Sequence, residues 1–85
     1  MIPSQPIITA SQLGLLLQSA RKTRKLTQAQ LALRLGLSQN RLSELERNPG
    51  SMSVDQVMAI CGHLGLQLAM YPRDAAAQAV PGAEW

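Results

Sequence analysis

Aromatic residues are almost missing from this 85-residue chain: it has no Phe, and Tyr71 and Trp85 stand alone. Stacking successive bases of single-stranded nucleic acid needs several such rings, so that function loses its usual platform. A single cysteine, Cys61, and a single histidine, His63, exclude an intramolecular disulfide and a zinc site made of Cys and His ligands from one chain. The two residues lie two positions apart on what reads as one helix, about 200° around its axis, which rules out a Cys-His nucleophile pair. No Gly-rich loop cradles a phosphate, because Gly36, Gly50, Gly62 and Gly65 each stand alone at turns or helix ends. No apolar run approaches the roughly 20 residues that cross a bilayer, and Met1 to Ala10 lacks the basic start and long apolar centre of a signal peptide. The expectation from these absences is a non-enzymatic protein with no cofactor, metal, small-molecule substrate or membrane partner. Cys61, within an apolar helical pattern, reads as a buried reduced thiol and therefore suggests the cytoplasm.

What is present favours a helical globule. The chain is 46% hydrophobic and 15% charged, which is not the profile of a disordered segment, and Leu outweighs the β-branched residues that build sheets. Its length suits one domain. The net charge of +3 is unevenly placed. Through Gly65, Arg21, Lys22, Arg24, Lys25, Arg34, Arg41 and Arg47 face only Glu44, Glu46 and Asp55, whereas Arg73, Asp74 and Glu84 leave the tail slightly acidic. A polyanion is a plausible partner for the basic part.

The spacing predicts an extended arm over residues 1–10, a domain over 11–71 and a flexible tail over 72–85. Ser11 reads as the cap of a first helix running to about Lys25, with Leu13, Leu16, Leu17 and Ala20 on its apolar side. The cations in its last turn suit a helix C-terminus and need no nucleic acid to explain them. Thr27 opens a second helix that Gly36 stops, and Ser38 caps a third from Gln39 to about Arg47. Two short helices joined by a Gly-containing turn of about three residues form a helix-turn-helix. Asn48-Pro49-Gly50 reads as a turn. Ser53 and Gln56 have the spacing of a capping box for a fourth helix, with Val54, Val57, Met58, Cys61 and Leu64 expected on its apolar side. From Leu66 to Tyr71 the period becomes two, which is strand spacing. A lone strand needs a partner: either its own copy in a two-fold dimer, giving an intersubunit ribbon through Leu66, Leu68 and Met70, or the arm around Ile7-Ile8.

The stretch from Thr27 to Arg47 carries the functional signal. Leu31, Ala32, Leu35, Leu37, Leu42 and Leu45 form a shared core, which leaves Ser38, Gln39, Asn40, Arg41 and Ser43 on the outside of the third helix. Gln and Asn pair with the adenine edge and Arg with the two acceptors of guanine, so these residues suit reading of a major groove. Gln28, at the first turn of the second helix, is placed for a phosphate, as are Arg34 and Arg47, although Arg34 is equally well read as a solvated surface residue.

The string LTQAQLALRLGLSQNRLSELER resembles the helix-turn-helix family of phage repressors and Cro-like regulators, over about Leu13 to Leu64. The resemblance implies an all-α, lambda-repressor-like bundle of four or five helices with a C-terminal strand, acting as a homodimeric repressor on double-stranded operator DNA. It further implies a buried salt bridge between Arg21 and Glu46 and phosphate and base contacts at Gln28 and Gln39; the chain departs from the family at Lys25, where Gly is common, and has Glu44 where some members read a base. Length, the Asn48-Pro49 turn, the strand and the tail ending in Glu84-Trp85 are similar to HipB-type antitoxins. That similarity implies autoregulation of a toxin-antitoxin operon and a HipA-like Ser/Thr kinase toxin as partner, with Trp85 as a candidate anchor. A stand-alone repressor without a toxin, or a protein-interaction module that keeps the fold, are the alternatives.

Overall fold

The computed structural model describes residues 6–72. Four α-helices follow one another: α1 (Ala10–Thr23), α2 (Gln28–Leu35), α3 (Gln39–Arg47) and α4 (Val54–His63), with a single 3-10 turn, Pro49–Ser51, between α3 and α4. Among the described residues there is no strand.

Local chemistry sets the helix starts. Three of them use one device, a hydroxyl at the N-cap and a Gln three residues on, each bonding the other's backbone N–H: Thr9 with Gln12, Thr27 with Gln30, and Ser53 with Gln56. The first pair corrects the expected cap at Ser11. Three residues after Ser11 stands Gly14, which has no side chain to return the bond, whereas Gln12 takes the N–H groups of both Ile8 and Thr9, at 2.7 and 3.0 Å. Ser38 caps α3 alone, since the residue three positions on is Arg41.

The helix ends are equally regular. After α1, α2 and α4 one residue turns left-handed, Lys25 (φ 58°), Gly36 (φ 71°) and Gly65 (φ 70°). In each case the following leucine donates its N–H back into the helix: Leu26 to the Arg21 carbonyl, Leu37 to that of Ala32 and Leu66 to that of Cys61. The three leucines then pack against the core. Glycine takes this backbone conformation without strain; Lys25 takes it against its own Cβ.

Leu17, Ala20, Leu31, Ala32, Leu42, Val57, Ile60, Cys61 and Leu64 make one buried cluster, and Leu13, Leu35, Leu37 and Met52 pack on its edge. Leu31, Leu42 and Leu45 are the largest fully buried side chains among the described residues. On α4 the buried stripe is Val57, Ile60, Cys61 and Leu64, while Val54 and Met58, expected inside, are exposed. The sequence permits either stripe, because Met58 and Ile60 lie about 160° apart on either side of the line through Val57, Cys61 and Leu64; α4, docked against α2, turns Ile60 into the core. Pro49 lies so close to α1 that a Cβ on Gly14 would collide with its ring, so the missing side chain lets the 3-10 turn seat against α1. Burial pushes the Cys61 thiol pKa up, which keeps it protonated at neutral pH.

Beyond α4, Leu66 is half-buried, and Leu68, Met70 and Tyr71 are exposed. Among the described residues, 66–72 form no ladder. The expected tail from Arg73 to Trp85, and Met1 to Gln5 of the arm, lie outside the described residues.

Candidate nucleic-acid interface

A knot of three polar side chains and one backbone carbonyl fixes α3 against α1 and α2. Arg21, near the end of α1, sends Nε to Oε2 of Glu46 at 2.7 Å and Nη2 to Oε1 at 3.2 Å. Its Nη1 donates to the carbonyl oxygen of Leu26 at 2.8 Å, the same residue whose N–H closes α1. Gln28, in the first turn of α2, donates Nε2 to Oε1 of Glu46 at 2.8 Å. The carboxylate thus accepts three hydrogen bonds from two helices. Both charged side chains are 8% exposed, so the pair is shielded from solvent, and among the described residues no buried polar side-chain atom is left without a partner.

The expected bridge between Arg21 and Glu46 is therefore present, and Gln28 is its third member. The sequence reading missed that role. Gln28 is half-buried and one hydrogen of its amide nitrogen is committed to Glu46, so it holds α3 in place. The only signal available was the helical register that puts the starts of α2 and the end of α3 near one another, and a bond across 18 residues is not visible in local periodicity.

The first turn of α3 is different in kind. Ser38, Gln39 and Asn40 are exposed, and Arg41 and Ser43 are half-buried. The Ser38 hydroxyl oxygen accepts the Arg41 N–H at 3.0 Å. Among the described residues no hydrogen bond engages the side chains of Gln39, Asn40 or Ser43. The Arg41 guanidinium sits 3.7 Å from Glu44, an exposed (i, i+3) pair that contributes at most about 1 kcal/mol. Planar donor and acceptor groups thus stand in water on a helix whose opposite face, Leu42 and Leu45, is clamped in the core.

Arg34 and Arg47 are exposed, at the last turns of α2 and α3. Outside the buried Arg21–Glu46 pair, the described residues carry Lys22, Arg24, Lys25, Arg34, Arg41 and Arg47 against Glu44 and Asp55, so the surface is basic. Among the described residues no group of acidic, His and Cys side chains could hold a metal ion, and no helix is long and apolar enough to cross a membrane.

Two helices joined by a left-handed glycine corner, the second locked from behind and polar in front, define a helix-turn-helix protein. The helix-turn-helix family model matches residues 17–70, well over half of the chain, and the protein belongs to that family. Among known proteins it is similar to the immunity repressor protein of Bacillus phage phi105, with 40% identity over 55 residues that make up 65% of this chain. The chain spans 38% of the length of that repressor.

Proposed function

We propose that the protein binds a defined sequence of double-stranded operator DNA through the outer face of α3 and represses transcription, without catalytic activity. The observation that carries this reading is the outward polar chemistry of the first turn of α3, where Gln39, Asn40 and Ser43 have no side-chain hydrogen bond within the described residues and Arg41 has only an exposed pairing with Glu44, on a helix held rigidly from behind. Gln39 and Asn40 suit adenine edges and Arg41 suits guanine, while Arg34 and Arg47 suit phosphates. Repression is supported by the name of the phage relative.

The finer reading is a homodimer whose Leu66, Leu68 and Met70 form a two-stranded ribbon between copies, so that two α3 helices meet two half-sites. The alternating pattern of that segment and its exposed Leu68 and Met70 support it. Finer still is the antitoxin role, with a HipA-like kinase toxin held by the flanking surface or by the Trp85 tail; it rests on the resemblance in length, turn and tail. Co-purification of a kinase with the native protein would support the antitoxin, and its consistent absence from the producing cell would favour the stand-alone repressor.

Selection from a random duplex library at about 0.15 M salt, where screening shortens electrostatic reach to roughly 8 Å, tests the main claim. Enrichment of one two-fold symmetric motif is the expected result; indifference to sequence would reject it. Arg47→Ala should weaken all duplexes alike and flatten the salt dependence by about one unit of slope.

A further inference from the structure

The left-handed corner that ends a helix is built three times in this chain, and only once with a side chain. Gly36 and Gly65 form it after α2 and α4, while Lys25 (φ 58°) forms it after α1 and is the only such non-glycine among the described residues. A corner that has only to turn is best served by glycine, because a Cβ in that region crowds the backbone carbonyl. The fold takes nothing polar from the side chain that Lys25 keeps. It is exposed, and among the described residues no ion pair or side-chain hydrogen bond engages its ammonium. Its N–H bonds the carbonyl three residues back, at 2.9 Å, as those of Gly36 and Gly65 do. Backbone strain retained with no return inside the fold points to a contact made outside it.

We infer that Lys25 is a phosphate contact of the DNA-bound protein, acting together with Arg47 on the backbone that edges the groove read by α3. The inference rests on the reading of α3 as a duplex-binding helix and extends the contact to the end of α1. Three cations follow Arg21, and two of them point elsewhere. Arg24 lays its guanidinium against Gly65, just beyond α4, and Lys22 shares the outer face of α1 with exposed Leu15. Lys25 belongs to the segment that the buried knot ties to α3. Leu26, the residue after it, gives its N–H to the Arg21 carbonyl and accepts a bond from Arg21 Nη1 at 2.8 Å, and the same guanidinium grips Glu46. Arg47 follows Glu46 directly, so the corner of Lys25 and the last turn of α3 are one guanidinium apart. Two exposed cations thus attach to one joint whose own charges, Arg21 and Glu46, cancel each other. An ammonium on a flexible stem is a point charge with three donors, which suits a phosphate and carries no base selectivity.

The signature is a variant that gains stability and loses binding. Affinity of the full-length protein is measured across a range of salt concentrations, for the selected motif and for random duplex. Lys25→Gly should raise the melting temperature and leave base preference as it is, while weakening binding by about fivefold per bound chain at roughly 0.15 M salt and flattening the salt slope by about one unit. Lys25→Gln keeps the Cβ and removes the charge, so it should lose the same binding without the gain in stability, whereas Lys25→Arg should hold the wild-type slope. Combined with Arg47→Ala, the losses should add to about two units of slope. Unchanged slope and affinity in Lys25→Gly and Lys25→Gln would overturn the contact, as would an altered base preference or a Lys25→Arg that binds as weakly as Lys25→Gly. The two readings fail separately. A selective wild type whose slope ignores Lys25 keeps the proposed function and loses this contact. A wild type that binds random duplex, selects no motif and still loses slope in Lys25→Gly does the reverse, and a protein that binds no duplex loses both.

Discussion

α2 and α3 begin alike and end up doing different work. Each opens with a hydroxyl N-cap, Thr27 or Ser38, and each offers amide side chains in its first turn. In α2 those amides are committed to the structure: Gln30 returns a hydrogen bond to Thr27, and Gln28 reaches Glu46. In α3 the position matching Gln30 is Arg41, which returns nothing to its cap, and Gln39 and Asn40 remain in water. One helix uses its polar groups to build a fixed platform. The other leaves them free on top of it. Committed and solvent-facing polar groups are thus divided between neighbouring helices of eight and nine residues, and the placement of the second depends on the side chains of the first.

The division fails first at Glu46. Glu46→Ala strips the buried Arg21 of its partner and Gln28 of its acceptor, and should destabilise the fold by about 3 to 5 kcal/mol in urea or thermal unfolding. A loss under 1 kcal/mol would mean that the knot contributes little and that α3 is held by leucines alone. On the other side of the comparison, Arg41→Ala should leave stability within about 0.5 kcal/mol, because its pairing with Glu44 is exposed. The same variant should lower affinity for the selected duplex by about 1 to 3 kcal/mol and relax choice at one base pair. Unchanged sequence preference in a binding-competent Arg41→Ala would remove this side chain from recognition.

Gln28→Ala sharpens the boundary between the two helices. Loss of a hydrogen bond to a buried carboxylate predicts about 1.5 kcal/mol of lost stability, read by denaturant midpoint. Unaltered stability combined with weaker duplex binding would favour the phosphate contact expected of Gln28 over its bond to Glu46 as the main role of this side chain. The smallest effect lies at the end of α1. Lys25→Gly relieves a left-handed residue at a corner where α2 and α4 have glycine, and should raise stability by up to about 1 kcal/mol without altering the sequence preference of α3. A fall in melting temperature would show that the Lys25 side chain contributes more than its backbone costs.

The order of the helices, their caps at Thr27, Ser38 and Ser53, and the corner at Gly36 were legible in the sequence, because hydroxyl, amide and glycine at those spacings act on the backbone within a few residues. The core leucines of α2 and α3 were legible for the same reason, through their period. Where two local solutions compete, local reasoning has no means of choosing. Thr9 and Ser11 are both capping residues, and only the reach of Gln12 separates them. Val54 and Met58 or Ile60 could each complete the stripe of α4, and only the neighbouring helix α2 decides. The bridge between Arg21 and Glu46 was legible only through family resemblance, and the third bond, from Gln28, only in the tertiary structure.

The sequence by itself determined the starts of α2, α3 and α4 and the glycine corner after α2, that leucines would bind the helices together, and that amide and guanidinium groups would crowd the first turn of α3. Tertiary structure alone decided which of the polar groups are consumed by the fold and which stay available, and which apolar side chains remain uncovered on α4. The physical reason is range. Caps, turns and periodicity are set by bonds spanning three to five residues, whereas the fate of Gln28 is set by a carboxylate 18 residues away, and that of Met58 by a helix packed on the opposite side of its own.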